Sequence, residues 1–446
     1  MHTLDQLRSG QLAGTRRLDL AAGLTEFPAE IFDLADTLEI LNLSGNALSA
    51  LPAGLGRLRK LRVLFCSDNQ FTTVPEVVGE CPQLSMVGFK ANRIRTLPAA
   101  ALPPALRWLI LTDNQLEELP AEIGNCPALQ KLMLAGNRLR RLPETLAQCT
   151  RLELLRIAAN ELDELPGWLL TMPRLSWLAY AGNPFCAPLE TAAHHAPATI
   201  GIDWDQLAVQ QQLGEGASGV IYEARWRPTP AAAETPEKAV AVKLFKGSLT
   251  SDGLPHCEMA ACVQAGPHPN LIGVQGHLRH HPAGAEGLVL ELISPTFRTL
   301  AGPPSFATCT RDVYVPGTAF PLDTVLRIAR GIAAAAGHLH ARGILHGDLY
   351  AHNILTTEQG DCLLGDFGAA CFFDPATPAP AIALQRLEVR AFGCLLEELL
   401  AHCPAPGAEA AATVAALQSL QQQCVQPNVA ARPSFPEIQQ LLTALA

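Results

Sequence analysis

Two carboxylates and an amide stand close together in the C-terminal half of the chain, and their residue types are suited to phosphoryl transfer. Residues 346–353 read His-Gly-Asp-Leu-Tyr-Ala-His-Asn, which places Asp348 five residues before Asn353. Thirteen residues after Asn353, the tripeptide Asp-Phe-Gly begins at Asp366. One carboxylate can orient and deprotonate an acceptor hydroxyl. The amide and the other carboxylate can hold magnesium against phosphates.

A glycine-rich loop precedes these residues and can serve the same chemistry. Residues 213–220 read Leu-Gly-Glu-Gly-Ala-Ser-Gly-Val. Glycine backbone amides can close over phosphates because no side chain stands in the way. The pattern alone is weak, since glycine makes up about 7% of an average chain. Its context therefore decides how it is interpreted.

A lysine and a glutamate follow the glycine loop at spacings that suit a strand and a helix. Lys243 comes directly after the apolar run Ala-Val-Ala-Val at 239–242, which is typical of a buried strand. Glu258 lies fifteen residues further on, in a helix-compatible segment. Singly, each residue type is more often a solvated surface residue. With the acids and the amide downstream they favour a functional interpretation, because one mechanism requires all of these positions.

From about residue 203 to the C-terminus, this order of motifs resembles the protein kinase family. The resemblance implies a two-lobed α+β fold, with ATP and Mg²⁺ as cofactors. It assigns Asp348 as the catalytic base and pairs Lys243 with Glu258 at the phosphates. Asn353 and Asp366 are then the expected magnesium ligands. The residues expected to contact ATP are Leu213, Gly214, Gly216, Gly219, Val220, Ala241, Lys243, Leu290, Glu291 and Ile293.

Three residues around the catalytic aspartate depart from the usual kinase pattern. The arginine that usually precedes it is Gly347, and the lysine typical of Ser/Thr kinases is Tyr350. His352 stands where Tyr kinases commonly carry arginine. In the family, the missing arginine holds a phosphorylated activation segment in place.

The segment after Asp-Phe-Gly is also short. Only about twenty residues separate Gly368 from Glu388, which replaces the usual aspartate of the following helix. Between residues 369 and 387 the one hydroxyl is that of Thr377. This segment therefore offers almost no site at which phosphorylation could order it. We expect an enzyme that is active without phosphorylation of this segment.

The N-terminal half repeats a unit of 22 or 23 residues from residue 15 to about residue 188. Each unit reads Leu-x-x-Leu-x-Leu/Phe/Ile-x-x-Asn, with small departures, and resembles the leucine-rich repeat family. The asparagines are Asn46, Asn69, Asn92, Asn114, Asn137, Asn160 and Asn183. One coil cannot bury its leucines alone, so the units are expected to stack into an α/β solenoid. Each asparagine can then bond backbone groups where the coil turns.

Strand positions between the inward leucines face the concave side of such a solenoid. Large side chains occupy them: Ile40, Phe65, Met86, Trp108, Ile110, Met133, Arg156 and Trp177. Large apolar side chains exposed on a concave sheet favour a protein partner, either a substrate or a regulator. The alternative is that some of these side chains are covered by the second domain.

Length and composition describe a folded protein of two or three domains. The chain has 446 residues, of which 48% are hydrophobic and 17% charged. A net charge of −10 argues against nucleic acid or an anionic membrane as the main partner. We find no secretory signal and no window near the roughly 18 apolar residues of a membrane span. We therefore expect a soluble cytoplasmic protein whose 13 cysteines are reduced thiols.

These observations predict a leucine-rich repeat domain over residues 1–188, a linker over 189–202 and a protein kinase domain over 203–446. The adjacent histidines His194 and His195 are interpreted as solvated connector residues. As a whole, the chain resembles the soluble leucine-rich repeat kinases of bacteria. We expect a Ser or Thr hydroxyl, more than Tyr, to be the acceptor.

Two alternatives to a protein kinase remain open. His-Gly-Asp-Leu also resembles the aminoglycoside and choline phosphotransferases, which are small-molecule kinases. The complete glycine loop and the Asp-Phe-Gly sequence argue against that family. The second alternative is a pseudokinase scaffold, and the retention of Asp348 and Asp366 argues against it.

Overall fold

The computed structural model describes residues 2–194, 200–216, 218–227, 237–247, 249–250, 252–405, 407 and 410–445. The chain forms two compact units. The first comprises Met1–Leu175 with Asn183–Phe185, and the second comprises Ser176–Gly182 with Cys186–Ala446. His195 lies outside the described residues, as does the side chain of His194.

Each coil of the first unit contributes one three-residue strand to a parallel sheet. After the short helix α1 (Leu4–Arg8), the strands pair in chain order. They are β1 (Arg17–Asp19), β2 (Ile40–Asn42), β3 (Val63–Phe65), β4 (Met86–Gly88), β5 (Trp108–Ile110), β6 (Lys131–Met133) and β7 (Leu154–Arg156). The return paths are 3₁₀ turns, and six of them follow directly on a proline: Pro28, Pro75, Pro98, Pro120, Pro143 and Pro166. The predicted leucine-rich repeat solenoid is confirmed.

The repeated asparagines stitch neighbouring coils together. Asn114 shows the pattern, because its side-chain nitrogen donates to the carbonyls of Phe89 and Leu111 at 2.9 and 3.1 Å. Its side-chain oxygen accepts the Ile94 N–H at 3.0 Å. Backbone groups that no strand satisfies are thus paired inside the solenoid. The expected role of the asparagines is confirmed.

The concave strand positions are less exposed than the sequence predicts. Met86 and Met133 are 2% and 9% exposed, and Arg156 and Trp177 are each 1% exposed. Met86 faces its strand neighbour Trp108, and Met133 faces Arg156. Side chains on adjacent strands stand close enough to cover one another, whereas Trp177 is covered by the ring of Tyr350. The prediction of exposure is wrong for these four residues, while Ile40, Phe65, Trp108 and Ile110 are half-buried.

The second unit begins with strand β8 (Trp177–Ala179) and helix α2 (Ala187–His194), followed by a small lobe built on a sheet. Its strands are β9 (Gly201–Asp203), β10 (Leu207–Glu215), β11 (Gly219–Trp226), β12 (Lys238–Phe245), β13 (Val274–Arg279) and β14 (Gly287–Glu291). They pair in the order β10-β11-β12-β14-β13-β9. Helix α3 (Pro255–Ala265) lies between β12 and β13 in the chain. Val240, Val242 and Val289 are fully buried and form the centre of this lobe's core.

A mainly helical lobe completes the second unit. Its helices are α4 (Leu322–Ala341), α5 (Pro378–Ala401), α6 (Ala411–Cys424) and α7 (Phe435–Thr443). One short strand, β15 (Arg298–Thr299), precedes α4. Four more lie between α4 and α5: β16 (Ile344–Leu345), β17 (Ile354–Thr356), β18 (Cys362–Leu364) and β19 (Cys371–Phe372). β16 pairs with β19, and β17 pairs with β15 and β18. A sheet lobe followed by a helical lobe confirms the predicted kinase-like fold.

Within the described part of the chain, every helix is too short or too polar to cross a bilayer.

Candidate active site

The register of the small-lobe sheet places a lysine and two leucines on one face. β12 pairs antiparallel with β14, so that Ala241 lies opposite Leu290 and Lys243 opposite Leu288. Residues two apart on a strand share a face. Lys243 is therefore presented beside the apolar side chains of this face, where it is only 8% exposed. A buried ammonium requires a partner of opposite charge.

Helix α3 supplies that partner. The Lys243 Nζ donates a hydrogen bond to Glu258 Oε1, and the two form an ion pair. Glu258 is 3% exposed, so both charges are removed from water. Burial acts to lower the pKa of Lys243, but the Glu258 and Asp366 carboxylates outweigh it and the net shift is upward. Burial raises the pKa of the Glu258 carboxyl to about 7, although Lys243 acts in the opposite direction.

The pKa of Glu258 predicts a pH limit on the use of ATP, the cofactor that the sequence leads us to expect. Below about pH 7 this carboxyl takes up a proton, its negative charge is lost, and the ion pair to Lys243 is broken. Because kcat/KM reports groups of the free enzyme, kcat/KM for ATP is expected to fall about tenfold per pH unit on the acid side. The Glu258→Gln variant should have lower kcat/KM throughout and lack this limb. A limb with the same midpoint in both proteins would contradict the assignment to Glu258.

A cavity of about 160 Å³ opens beside this ion pair. Gly219 borders it at the start of β11, where an added Cβ would come within 2.5 Å of the Leu244 carbonyl oxygen. Only glycine allows the loop to approach β12 this closely. The lining residues are Gly216, Ser218, Gly219, Ile221, Lys243, Glu258, Cys262, Ile272, Leu288, Leu290, Gly365, Asp366 and Phe367.

The loop between β16 and β17 holds an acid and an amide together. Asn353 donates its side-chain N–H groups to Asp348 Oδ2 at 2.7 Å and to the Asp348 carbonyl at 2.9 Å. His346, which is fully buried, accepts the Asp348 N–H at Nδ1 and lies 2.8 Å from the Gly365 carbonyl through Nε2. These partners place the imidazole proton on Nε2. One histidine therefore ties the loop of Asp348 to the residue before Asp366.

Asp366 sits in a backbone conformation that ordinary residues seldom adopt. Its φ is +54°, and its Oδ1 accepts the Gly368 N–H at 3.2 Å. Such conformations persist where the surroundings enforce them, and they concentrate at functional sites. The side chain is exposed and lines the same cavity as Lys243 and Glu258.

The donor set of this loop region fits magnesium bound together with phosphate. Mg²⁺ prefers hard oxygen ligands and usually takes only one or two carboxylates from the protein. Asp366 offers an exposed carboxylate, and the amide nitrogen of Asn353 is occupied by Asp348, which leaves the amide oxygen for a cation. Over the described residues, there is no cluster of three or more His, Cys, Asp or Glu side chains that could bind a metal by themselves, so phosphate oxygens would complete the coordination.

Comparison with known proteins assigns both halves of the chain. The model of a family described as protein tyrosine and serine/threonine kinase matches residues 207–377. Leucine-rich repeat models match residues 37–58 and 104–162. The chain carries a protein kinase domain preceded by leucine-rich repeats.

Several curated kinases are similar to the kinase domain. The putative cyclin-dependent kinase F-2 of Oryza sativa subsp. japonica is 28% identical over 216 residues, which are 43% of this chain and 61% of the rice protein. The proto-oncogene serine/threonine-protein kinase mos of Sus scrofa is 26% identical over 189 residues, 39% of this chain and 50% of mos. The serine/threonine-protein kinase US3 homolog of Gallid herpesvirus 2 is 40% identical over 60 residues, 14% and 15% of the two chains. The chain spans less than two thirds of each relative.

The kinase domain brings some of the sequence-predicted residues to the cavity and leaves others off its lining. Gly216, Gly219, Lys243, Glu258, Leu290 and Asp366 line it. The other predicted residues are not part of that lining: Leu213, Gly214, Val220, Ala241, Glu291, Ile293, Asp348 and Asn353. Ile221 lines the cavity, whereas its neighbour Val220 does not, since side chains alternate between the faces of a strand.

Seven lining residues were not among those predicted: Ser218, Ile221, Cys262, Ile272, Leu288, Gly365 and Phe367. Ile272 and Leu288 are apolar and look like ordinary core residues in the sequence, so their signal is not local. The register of β12 with β14 places Leu288 opposite Lys243. A strand-pairing prediction could have identified Leu288. Ile272 lies in the segment before β13, and its sequence gives no such signal.

Glu388 of the kinase domain anchors the loop between β16 and β17, which carries Asp348. Its Oε1 accepts the Gly347 N–H at 2.7 Å, and its Oε2 lies 2.7 Å from His340 Nε2. Burial acts to raise the pKa of Glu388, but the hydrogen bonds from His340 and Gly347 outweigh it, and its pKa lies below the ordinary value. The glutamate that replaces the usual aspartate therefore holds the backbone next to Asp348.

His352 is anchored to a second carboxylate. Its backbone N–H donates to Asp312 Oδ2 at 2.9 Å, and its Nδ1 lies 2.7 Å from Asp312 Oδ1. Burial acts to lower the pKa of His352, but the hydrogen bond to Asp312 outweighs it and the pKa is raised. His352, which departs from the family pattern, thus makes a bidentate contact with Asp312 that fixes this loop next to Asn353.

Proposed function

We propose that this protein transfers the γ-phosphate of ATP to a Ser or Thr hydroxyl of a protein. The observation that carries the proposal is the Lys243–Glu258 ion pair, which lines the same cavity as Asp366. That arrangement gives a cation for the phosphates and an acid for the metal within one site. The names of the mos and US3 relatives support a Ser or Thr acceptor.

In the proposed reaction, the small lobe binds and orients the nucleotide. Backbone amides of Gly216, Ser218 and Gly219 cover the phosphates. Lys243 neutralises the phosphate charge, and Glu258 fixes the position of Lys243. The adenine ring of ATP contacts the apolar face around Leu288 and Leu290. When bound, Mg²⁺ supplies charge neutralisation and alignment of the phosphates, with Asp366 and Asn353 as its protein ligands.

The helical lobe orients and deprotonates the acceptor hydroxyl. Asp348 orients the hydroxyl and takes its proton as the hydroxyl oxygen bonds to the γ-phosphorus. The bond between the γ-phosphorus and the bridging oxygen breaks in the same transfer, and ADP leaves with that oxygen. Its hydrogen bond from Asn353 at 2.7 Å keeps the carboxylate in one orientation. Holding the base in place removes much of the entropic cost of bringing hydroxyl and phosphate together.

We further propose that the solenoid selects the protein partner. The half-buried side chains Ile40, Phe65, Trp108 and Ile110 offer apolar contacts on strands β2, β3 and β5 of the parallel sheet. Aromatic and aliphatic anchors of this kind often dominate a protein interface. A partner tethered to the first unit would reach the kinase domain at a raised effective concentration.

Mapping of phosphorylated sites tests the proposed activity. We expect the wild-type protein, incubated with ATP and Mg²⁺, to phosphorylate Ser or Thr residues in itself or in a generic protein substrate. The Asp366→Ala variant should lose at least 99% of this incorporation, because the metal loses its carboxylate ligand. Mass spectrometry of both reactions gives the sites and the acceptor hydroxyl.

A matched control keeps this result interpretable. Thr377→Ala removes the one hydroxyl between residues 369 and 387, and it should phosphorylate substrate as fast as the wild type. Equal incorporation by wild type and Asp366→Ala, or none by either, would contradict a protein kinase. Phosphate that appears only on an added aminoglycoside or on choline would instead identify a small-molecule kinase.

A further inference from the structure

The segment Ser176–Gly182 lies within the last sequence repeat, yet it belongs to the compact unit of the kinase domain. Trp177, the first residue of β8, is 1% exposed. Its ring stacks on that of Tyr350, with centroids 4.1 Å apart and planes 7° from parallel. Its Nε1–H donates to the Leu349 carbonyl at 3.0 Å. Trp177 therefore contacts Leu349 and Tyr350, the two residues that follow the proposed base Asp348.

The same segment also holds the start of the activation segment. The Tyr180 hydroxyl donates to the Phe372 carbonyl at 3.1 Å, and the Tyr180 N–H donates to Cys371 Sγ at 3.0 Å. Tyr180 is 2% exposed, so these bonds lie away from water. Cys371 and Phe372 form β19, which pairs with β16. β16 immediately precedes residues 346–353, which we call the catalytic loop because they contain the proposed base Asp348. Tyr180 thus secures the strand that supports that loop.

Contacts of the segment reach two helices of the kinase domain as well. Arg390 in α5 donates to the Ser176 hydroxyl at 2.8 Å. Glu190 in α2 accepts the Gly182 N–H at 2.7 Å. α2 in turn receives a hydrogen bond at 2.9 Å from Gln264 of α3 to the Ala193 carbonyl. α3 is the helix that carries Glu258.

We propose that Ser176–Gly182 and helix α2, together called the brace, are a positioning element for catalysis. The brace holds the catalytic loop, β19 and α3 in their working arrangement through bonds within the chain. This accounts for the departures at Gly347 and Tyr350. Tyr350 is the stacking partner of Trp177, and a Cβ at Gly347 would come within 2.8 Å of the Leu178 carbonyl oxygen. It also explains how the kinase domain can be active with a short activation segment that has one hydroxyl. The inference rests on the proposed kinase activity.

Substitution of Trp177 in the full-length protein tests the brace. Trp177→Ala removes the stack and the hydrogen bond, and kcat is expected to fall about 100-fold because the base is displaced. The dissociation constant of a non-hydrolysable ATP analogue should stay within about twofold, since the residues that line the nucleotide cavity are unchanged. Trp177→Phe keeps the stack and should lose only about tenfold or less in kcat.

Two further measurements separate positioning from general destabilisation. Trp168→Ala, a tryptophan substitution in the first unit, should leave kcat and analogue binding at wild-type values. Hydrogen exchange of Trp177→Ala should be faster only in residues 344–353 and 369–373. Tyr180→Phe, which loses the bond to Phe372 alone, should show faster exchange in residues 369–373.

Each outcome bears on the brace. Wild-type kcat in folded Trp177→Ala would overturn it, as would parallel loss of kcat, analogue binding and thermal stability. If the wild type phosphorylates nothing, the proposed function fails, but the exchange measurement still decides the brace. Faster exchange confined to the two segments would support it, and unchanged exchange would refute it.

Discussion

Replacing Asp348 by asparagine is expected to lower kcat at least ~100-fold, the range that a positioned general base contributes. Asparagine has the same shape but cannot accept the proton of the acceptor hydroxyl. It can still accept the 2.7 Å hydrogen bond from Asn353 through its amide oxygen. The loop should therefore keep its geometry, and the loss should fall on kcat while KM for ATP changes little.

Steady-state kinetics with a protein acceptor measure this effect, and a second aspartate offers the control. Asp361 is exposed in the turn before β18, where it contacts Arg327 at 3.5 Å. Asp361→Asn removes the same charge from the same lobe and should keep wild-type kcat. If Asp348→Asn retained more than a tenth of wild-type turnover, the carboxylate could not be the base. A lower melting temperature in Asp348→Asn alone would show that the residue supports the fold instead.

Local sequence patterns were sufficient for the solenoid and for the kinase-like fold. The repeat places a leucine or an asparagine at fixed intervals, and each such residue acts on its own coil or the next one. Asn114, for example, bonds carbonyls 3 and 25 residues away. In the kinase domain, Lys243 and Glu258 are separated by only one strand–helix connection. Interactions over such distances leave a regular spacing that one sequence can reveal.

Contacts between distant segments left no such spacing. Trp177 and Tyr350 are 173 positions apart. In the sequence, Trp177 looks like one more concave strand residue of the repeat, and Tyr350 looks like an isolated departure from the kinase pattern. Only the fold shows that Tyr350 is the stacking partner of Trp177, which explains the tyrosine at position 350. The burial of Trp177 also shows why its exposure was predicted wrongly. A concave strand position can be covered by a residue from outside the repeats, and Tyr350 covers this one.

The residue before the base shows most sharply how this chain differs from the family pattern. Gly347 has φ +72°, and a Cβ there would come within 2.4 Å of the Ala369 carbonyl oxygen and 2.8 Å of that of Leu178. Carbonyl oxygens from the activation segment and from the brace thus occupy the space that the usual arginine side chain would need. The absence of that arginine is a consequence of packing in this protein, because any side chain at 347 must displace backbone.

Introducing a side chain at this position is therefore expected to be damaging. Gly347→Ala should lower the free energy of unfolding by about 2–5 kcal/mol, from the left-handed backbone and the two close contacts together. Gly347→Arg, which restores the family's usual residue, should lose at least as much stability and also reduce kcat. Both effects follow from movement of the loop that carries Asp348. Thermal and urea unfolding, followed by kinetics on the folded fraction, measure them.

Gly284 provides the matched control for the backbone contribution. It has φ +67°, but an added Cβ there would meet nothing within 4 Å. Gly284→Ala therefore carries only the conformational cost of about 1–2 kcal/mol, and its kcat should be that of the wild type. The difference between the two alanine variants isolates the contacts with Ala369 and Leu178. If Gly347→Ala were no less stable than Gly284→Ala, or if Gly347→Arg were more active than the wild type, the brace could not fill that space, and position 347 would be open to the arginine that other kinases carry.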